Sequence, residues 1–251
     1  MNLAKSSVVI LPHLDDEFAL VPLIKELIKS SRSDFRIIFC AERNIDAEKK
    51  KKQRRHENIS SMKLLGVPKK NIIYLNDFFR VDDLKLWKSS NEIYYFLKNM
   101  QDKLQFEQIL TLNFEGGHPD HDALSLIVKT FSEKNNISAF YAPAYNSRPT
   151  FIIPLSVFKP LREQSDYFYQ IKFNFLSWFD CIKIACIYKS ERNAFFKLLP
   201  FILFKAIFTN NIFITNVICV DSVNWKKSLS KRVYKVALEE ITETINGDTL
   251  I

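Results

Sequence analysis

The amino-acid sequence predicts an α/β fold built on a mostly parallel sheet. Short runs of β-branched and aliphatic residues alternate with longer segments whose apolar residues recur at helical spacing. Strands that alternate with helices form parallel sheets with right-handed crossovers. The predicted architecture is therefore a Rossmann-like three-layer sandwich, with helices on both faces of the sheet.

The predicted elements follow one another with short connections. The first strand is Ser6–Leu11, an uninterrupted apolar run, and the helix Phe18–Ser30 follows it. A strongly charged helix over 47–65 is closed by Gly66, with Pro68 just beyond it. The remaining predictions are strands over 35–41, 72–75, 108–114 and 137–141 and helices over 91–104 and 121–133.

The pattern weakens after residue 141. Prolines at 143, 149, 154 and 160 predict an extended, looping region, and a helix is expected over 180–196. Residues 201–220 are rich in Phe, Ile and Asn without a clear period, which fits strands or a lipid-facing lip. A final amphipathic helix is predicted over 227–245.

Composition is that of an ordinary globular protein, with 47% hydrophobic and 25% charged residues and a net charge of +8. Much of the basic excess lies in Lys49–Lys52 with the two following arginines. This run could attract an anionic surface, but a solvated helix face explains it equally well, and we expect no nucleic-acid partner. The four cysteines contain no Cys-x-x-Cys pair, so no disulfide framework or thiolate metal site is indicated.

No segment reaches the ~20 apolar residues that a membrane span needs. Phe195–Phe208 comes nearest but is broken by charges and a proline, and it fits a core helix better than a segment on a membrane surface. The chain begins without a signal-peptide pattern, so we expect a cytoplasmic protein. Peripheral membrane contact through the Phe-rich C-terminal region is an open alternative.

A histidine and three carboxylates come directly after the first strand: His13, Asp15, Asp16 and Glu17. Ligands of open α/β sheets bind just beyond the carboxyl ends of the strands. Three carboxylates beside a buried strand are electrostatically costly unless a cation or a pKa shift relieves them. The cation is the better explanation, because a second polar cluster follows a later strand.

That second cluster, Gly116–His121, follows the strand predicted over 108–114 and contains His118, Asp120 and His121. Three of the four histidines of the chain therefore lie in two short turns at one predicted sheet edge. Imidazole and carboxylate ligands without thiolate suit Zn²⁺, with Fe²⁺ or another divalent ion as the alternative. A catalytic zinc site takes three protein ligands and leaves one position for water.

These parts predict a metal-assisted hydrolase of an amide or ester. His13 and Asp16 can converge on one ion, and the second cluster supplies a third ligand. Water bound to such an ion has a pKa near ~7, and Asp15 is the candidate base that accepts its proton. The spare histidine of the second cluster can stabilise the oxyanion, if a neighbour such as Asp120 holds it protonated.

The two clusters resemble the paired motifs of the PIG-L/LmbE-like zinc-dependent N-acetylglucosamine deacetylases. That family has a His-Pro-Asp-Asp-Glu turn after its first strand and a Gly-His-Pro-Asp-His turn after a later one. Here these turns stand at 13–17 and 117–121, with Leu14 in place of the proline. The resemblance assigns the zinc ligands as His13, Asp16 and His121. It makes Asp15 the general base and His118 the oxyanion stabiliser or acid, with Asp120 behind it.

Weaker matches extend the resemblance from Ser6 to Glu191. Arg54 aligns with a helical arginine that reaches the family's substrate pocket. Asp83 resembles an aspartate near the sugar, although Asp82 competes for that role. Residues 183–191 look like a degenerate form of a late family motif. We therefore divide the chain into a deacetylase domain over 1–195 and a Phe-rich extension over 196–251, packed on the same domain.

The resemblance implies removal of an N-acetyl group from a GlcNAc-type amino sugar or its conjugate, with a lipid-linked or nucleotide-linked acceptor as one option. Three alternatives stay open. The same scaffold can cleave a non-sugar amide, because a fold does not fix its substrate. The chain can also be a non-catalytic protein that binds surfaces through its basic run, or the clustered residues can simply cap helices.

Overall fold

The computed structural model describes residues 6–30, 35–42, 48–146, 156–158, 169–208 and 211–216. A five-stranded sheet in the order β3-β2-β1-β4-β5 lies at its centre. Its strands are β1 (Ser7–His13), β2 (Phe35–Ala41), β3 (Ile72–Tyr74), β4 (Gln108–Leu112) and β5 (Ser138–Ala142). Every pairing within this sheet is parallel. The predicted fold class is confirmed.

Helices cover both faces of the sheet because successive strand residues point to opposite sides. In β1, Val9 and Leu11 pack into one hydrophobic cluster, whereas Val8 and Ile10 pack into the other. The first cluster is completed by helices α1 (Val21–Lys29), α2 (Glu48–Leu65), α5 (Phe175–Ile187) and α6 (Arg192–Phe208). The second is completed by α3 (Ser90–Leu104) and α4 (Pro119–Asn135).

Two sequence predictions after residue 175 were wrong. A single helix was predicted over 180–196, but α5 ends at Ile187 and α6 begins at Arg192. The chain leaves the first helix at Tyr188, whose side chain is fully buried. Strands or a lipid-facing lip were predicted from residue 201, but 201–208 continue α6, and a strand, β9 (Asn211–Ile214), comes only after it.

Short antiparallel pairs complete the described structure. β6 (Tyr145–Asn146) pairs with β7 (Ser156–Val157), within the region expected to be extended. β8 (Tyr169–Lys172) pairs with β9, and Thr215 bridges to Tyr141 of β5. The predicted helix over 227–245 and the prolines at 149, 154 and 160 lie outside the described residues.

Helix boundaries otherwise fall close to the predicted ones, with one instructive shift. The helix expected from Phe18 begins at Val21, after a 3₁₀ turn over Asp16–Leu20. Pro22 lies in the first turn of α1, where a residue without an N–H costs no hydrogen bond. Among the described helices, none is long and apolar enough to cross a membrane. The division of the chain at residue 195 stays a prediction, and α6 crosses it.

The sheet topology brings the two motif turns together. β1 ends at His13, and the adjacent parallel strand β4 leads into the turn before α4. His118 is the N-cap residue of α4. Both turns therefore lie at the carboxyl-terminal edge of neighbouring strands, as the sequence predicted.

Candidate active site

Three histidines from the two turns form one cluster. The ring centroids lie 4.7 Å apart for His13 and His118, 5.5 Å for His13 and His121, and 5.0 Å for His118 and His121. One ring nitrogen of each lies within 4.8 Å of the others. Residues more than a hundred positions apart in sequence thus share one site, close enough to hold a single ion.

Asp16 lies between two of these histidines. Its Oδ2 is 3.1 Å from Nδ1 of His13, and its Oδ1 is 3.2 Å from Nε2 of His121. Burial alone would raise the pKa of Asp16, but the two histidines outweigh it and hold that pKa well below its usual value. The three predicted metal ligands therefore converge, with the carboxylate ionised and ready to bind a cation.

The other ring nitrogen of His13 faces two further carboxylates. Nε2 lies 3.0 Å from Oδ2 of Asp120 and 3.3 Å from Oδ1 of Asp83. Asp120 is fully buried and also accepts the backbone N–H groups of Leu84, at 2.7 Å, and Leu86, at 3.1 Å. A carboxylate in this place fixes the orientation of a metal-binding imidazole. Asp120 was expected behind His118, and its carboxylate instead supports His13.

The donor set fits a divalent cation. Four carboxylates surround the histidines: Asp15, Asp16, Asp83 and Asp120. Burial lowers the pKa of His13, yet the carboxylates of Asp16, Asp120 and Asp83 raise it well above its usual value. The surroundings of His13 thus favour positive charge, and a metal ion bound there would supply that charge without a proton. Histidine and carboxylate donors suit Zn²⁺ or Fe²⁺, and the donors alone do not choose between them.

Asp15 faces Arg54, whereas the neighbouring Asp16 faces the histidines. Its Oδ1 lies 3.2 Å from Nη2 of Arg54, and the same guanidinium pairs with Glu191. Burial raises the pKa of Asp15, while the charge of Arg54 opposes that rise. Arg54 is only 6% exposed, so it is held between two carboxylates rather than extended into solvent. The proposed base is therefore oriented by an arginine at the cavity wall.

The surroundings of His118 favour its neutral form. Burial, followed by the nearby His121 and His13, lowers its pKa to about 3. Its Nδ1 accepts the backbone N–H of Asp120 at 3.2 Å, so the neutral ring carries its proton on Nε2. This differs from the expected protonated form. A neutral His118 can still donate one hydrogen bond, from Nε2.

Two glycines and one carboxylate hold the second turn. Asp122, which is buried, accepts the backbone N–H of Glu115 at 2.7 Å and that of Gly116 at 3.0 Å. A side chain at Gly117 would place Cβ only 2.8 Å from the carbonyl oxygen of Tyr145. The turn therefore needs glycine at position 117 to let the β6 backbone approach. Sequence reasoning did not identify this contact.

A buried polar network holds the first turn. The carbonyl oxygen of Leu14 accepts a hydrogen bond from Nδ2 of Asn58, at 2.6 Å, and another from the hydroxyl of Tyr188. Oε1 of Glu17 contacts the hydroxyl of Tyr188 at 2.7 Å and accepts from Ser61 at 2.6 Å. Burial raises the pKa of Glu17 to about 8, against the effect of these hydroxyls. These hydrogen bonds hold the first turn at Leu14, where the family's proline is absent.

Sequence reasoning identified Arg54 of α2 but missed Asn58 and Ser61, which hold the first turn from the same helix. Arg54, Asn58 and Ser61 are all buried and lie at positions i, i+4 and i+7, on one face of the helix. A search for apolar periodicity passes over such a face, because the residues that pack inward are polar. Polar residues at helical spacing were the available signal.

The site opens into a cavity of about 470 Å³. Its polar wall holds the three histidines together with Asp15, Asp83, Arg54 and Glu191. The apolar part of its lining includes Phe18, Phe158, Phe195 and Leu198. A concave site of this size with a few converging polar groups suits a small-molecule substrate. All eight sequence-predicted site residues lie within or directly beside this cavity: His13, Asp15, Asp16, Arg54, Asp83, His118, Asp120 and His121.

A family model described as PIG-L: GlcNAc-PI de-N-acetylase matches residues 8–132. Residues 8–132 form a PIG-L family domain. This PIG-L domain contains both motif turns, which carried the sequence resemblance. The catalytic and ligand roles of the individual residues remain predictions.

Solved structures extend the likeness beyond the PIG-L domain. The N,N'-diacetylchitobiose deacetylase from Pyrococcus horikoshii is 19% identical and aligns over 84% of this chain and 82% of its own, with a TM-score of 0.57. The conserved protein TT1542 from Thermus thermophilus is 12% identical over 86% and 97%, with a TM-score of 0.56. Likeness at these identities shows a shared fold. No match was found among curated proteins.

Proposed function

We propose that this protein is a metal-dependent N-deacetylase, with Zn²⁺ as its ion and a GlcNAc-type amino sugar or its conjugate as its substrate. The observation that carries the proposal is the convergence of His13, Asp16 and His121 beside Asp15, in the lining of a cavity to which the PIG-L domain contributes both motif turns. Helix capping does not explain this convergence, because capping requires neither three clustered histidines nor the four carboxylates around them.

The residues of the site divide the work of amide hydrolysis. A bound ion supplies Lewis acidity, which polarises a carbonyl group and acidifies water. Asp15 accepts the proton of the attacking water, and Arg54 keeps that carboxylate oriented. Nε2 of His118 donates a hydrogen bond to the oxyanion that develops on the acetyl carbonyl. The C–N bond then breaks, and the proton held by Asp15 passes to the leaving amine, which gives acetate and the free amino sugar.

The polar and apolar parts of the cavity lining support an amino-sugar conjugate as substrate. Asp83, Arg54 and Glu191 provide hydrogen-bonding groups suited to sugar hydroxyls beside the metal ligands. The apolar part of the lining suits a sugar ring face or an apolar aglycone. The family description names GlcNAc-PI, and the Pyrococcus protein acts on a diacetylated chitobiose. Both substrates carry the N-acetylglucosamine group that we propose here.

Metal analysis and acetate release together test the proposal. Purified protein should contain about one equivalent of Zn²⁺ or Fe²⁺ and release acetate from free, UDP-linked or lipid-linked GlcNAc. Asp15→Asn should keep the metal and lose about 10²- to 10⁴-fold in turnover, the usual contribution of a general base. His121→Ala should lose the metal. Asp102→Asn, on the exposed face of α3, is the matched control and should behave like the wild type.

Each alternative predicts a different result. Cleavage of another amide, with no acetate from any sugar, would keep the hydrolase and refute the sugar substrate. A folded protein that binds no divalent metal would refute the proposed function. Undiminished hydrolysis by His121→Ala would show that the motif residues have a structural role and do not bind a catalytic metal.

A further inference from the structure

Helix α6 carries apolar residues around most of its circumference, yet only one side of it packs into the core. Leu199 and Ile202 pack into the core with less than a tenth of their surface exposed. A second set of apolar residues recurs at spacing i, i+4, i+7 and i+11 on the other side: Phe196, Pro200, Leu203 and Ile207. Phe196 is 47% exposed and Ile207 is 54% exposed. A helix that is hydrophobic all round normally lies inside a protein or in a lipid environment.

Helix α5 continues this apolar surface. Its first turns expose Phe175 by 58%, Leu176 by 71% and Phe179 by 48%. The two helices form an αα-hairpin and pack together, with Nε1 of Trp178 donating to the carbonyl oxygen of Leu199 at 3.3 Å. Six of the eleven large hydrophobic side chains that are exposed in the described structure lie on this hairpin. Such a concentration marks an interaction surface rather than ordinary scatter.

The charges on the hairpin have one sign. Among the side chains described over 175–208, the exposed charged ones are all basic: Lys183, Lys189, Arg192 and Lys197. The two acidic residues of the same segment turn inward, since Asp180 pairs with Lys25 and Glu191 pairs with Arg54. The apolar surface is thus accompanied by positive charge, without exposed carboxylates to oppose it.

We propose that the α5–α6 hairpin docks this protein onto an anionic membrane surface. Interfacial helices bury aromatic and aliphatic side chains at the acyl boundary, while lysine and arginine contact anionic headgroups. A second copy of the chain is a poorer partner for this surface, because two basic hairpins facing each other would repel. The sequence favoured a core role for 195–208, and the structure gives that role to only one side of the helix.

Docking at this surface places the membrane next to the cavity. Ala194, Phe195 and Leu198 line the cavity from the inner side of α6, while Phe196 and Ile207 are exposed on its outer side. The same helix therefore separates the catalytic cavity from the proposed membrane contact. The inference concerns binding alone and does not depend on the proposed deacetylase activity.

Vesicle binding by the full chain tests the inference without substrate. Wild-type protein should co-sediment with phosphatidylcholine vesicles that contain phosphatidylglycerol, and far less with pure phosphatidylcholine. Phe196→Ser with Ile207→Ser should weaken binding by about tenfold for each side chain removed from the bilayer. Lys189→Glu with Lys197→Glu should weaken it by about tenfold or more and reduce its sensitivity to salt.

Two controls separate this surface from general stickiness and charge. Phe78→Ser removes a 65% exposed aromatic side chain near α3, across the sheet, and should leave vesicle binding unchanged. Lys49→Glu with Lys50→Glu makes the same change in net charge on α2 and should weaken binding much less than the hairpin pair. Circular dichroism and thermal melting of every variant establish that each is folded.

Three results would overturn the inference. Folded wild-type protein could remain in the supernatant with anionic vesicles. The α2 lysine pair could abolish binding while the hairpin variants retain it, which would assign the contact to the basic run. Sedimentation velocity could show a dimer that Phe196→Ser dissociates, without vesicle binding, which would assign the surface to a second copy of the chain.

Discussion

Replacing Tyr188 with phenylalanine tests whether the network behind the first turn positions the catalytic groups. The substitution removes one fully buried hydroxyl and keeps the ring in place. That hydroxyl donates to the carbonyl of Leu14 and also contacts Oε1 of Glu17 at 2.7 Å and Nδ2 of Asn58 at 3.2 Å. Leu14 immediately precedes the proposed base, so a looser carbonyl there allows the turn to move.

The size of the effect follows from what remains after the hydroxyl is lost. The carbonyl of Leu14 keeps the hydrogen bond from Asn58, and Glu17 keeps the one from Ser61. No acceptor is left without a partner, so we expect a loss of about 1–2 kcal/mol in unfolding free energy. For a chain of this length, that loss lowers the Tm by about 2–8 °C. We expect kcat to fall about tenfold, because small displacements of catalytic groups are costly, while the metal content stays unchanged.

The assay compares Tyr188→Phe with Tyr141→Phe, which removes the hydroxyl of another buried tyrosine, on β5 and away from the cavity. Both variants should lose stability in thermal melts, and only Tyr188→Phe should lose kcat. Wild-type kcat and Tm in Tyr188→Phe would refute the positioning role. An equal loss of kcat in Tyr141→Phe would show that the activity merely follows stability.

Three further variants change residues that surround the proposed base and the proposed metal ligands. Glu191→Gln removes a negative charge that raises the pKa of Asp15, so the acidic limb of the kcat/KM profile should move to lower pH. Gly117→Ala places a methyl group 2.8 Å from the carbonyl oxygen of Tyr145, so activity should fall and the Tm should drop measurably. Asp120→Asn weakens the support of the first motif histidine, and chelator competition should show about 10- to 100-fold weaker metal binding.

Controls and contrary outcomes differ among these variants. Glu133→Gln removes an exposed carboxylate that pairs with Lys129, and it should leave the pH profile in place. A profile that moves to higher pH in Glu191→Gln would contradict Asp15 as the base. Wild-type activity and Tm in Gly117→Ala would show that the β6 backbone can shift to accommodate the added methyl group at no cost. Unchanged metal affinity in Asp120→Asn would show that this carboxylate fixes the loop at Leu84 and does not support metal binding by His13.

The sheet and the two motif turns were predictable because their signals are local. A short, β-branched apolar run such as Val8–Leu11, ended by a proline, favours a buried strand, and parallel topology then brings strand ends to one edge. Histidines at 13, 118 and 121 needed only that topology to be placed together. The contact between Asp120 and His13 was not predictable in this way, because two turns supply it and sequence spacing does not fix their relative orientation.

The break between α5 and α6 escaped prediction for a different reason. Residues 175–208 are apolar on nearly every side, so the contrast that reveals a helical period is missing. What ends α5 is the burial of Tyr188 against Leu14 and Glu17, which are distant in sequence. Pairing of Glu191 with Arg54 fixes the start of α6 in the same way. Tertiary contacts therefore set the boundary between α5 and α6, and the local sequence gives little indication of these contacts.

The short connection over 188–191 has a consequence for how this protein can change. Every proposed ligand of the ion lies between residues 13 and 121, whereas Tyr188 contacts Leu14 and Glu17 beside the proposed base and Glu191 pairs with Arg54, both from a segment beyond the match to the family model. In the proposed mechanism, ion binding therefore depends on the earlier stretch alone, while the environment of the proposed base depends on both stretches. Substitutions in the later stretch can retune reactivity and substrate choice while the coordination chemistry stays intact.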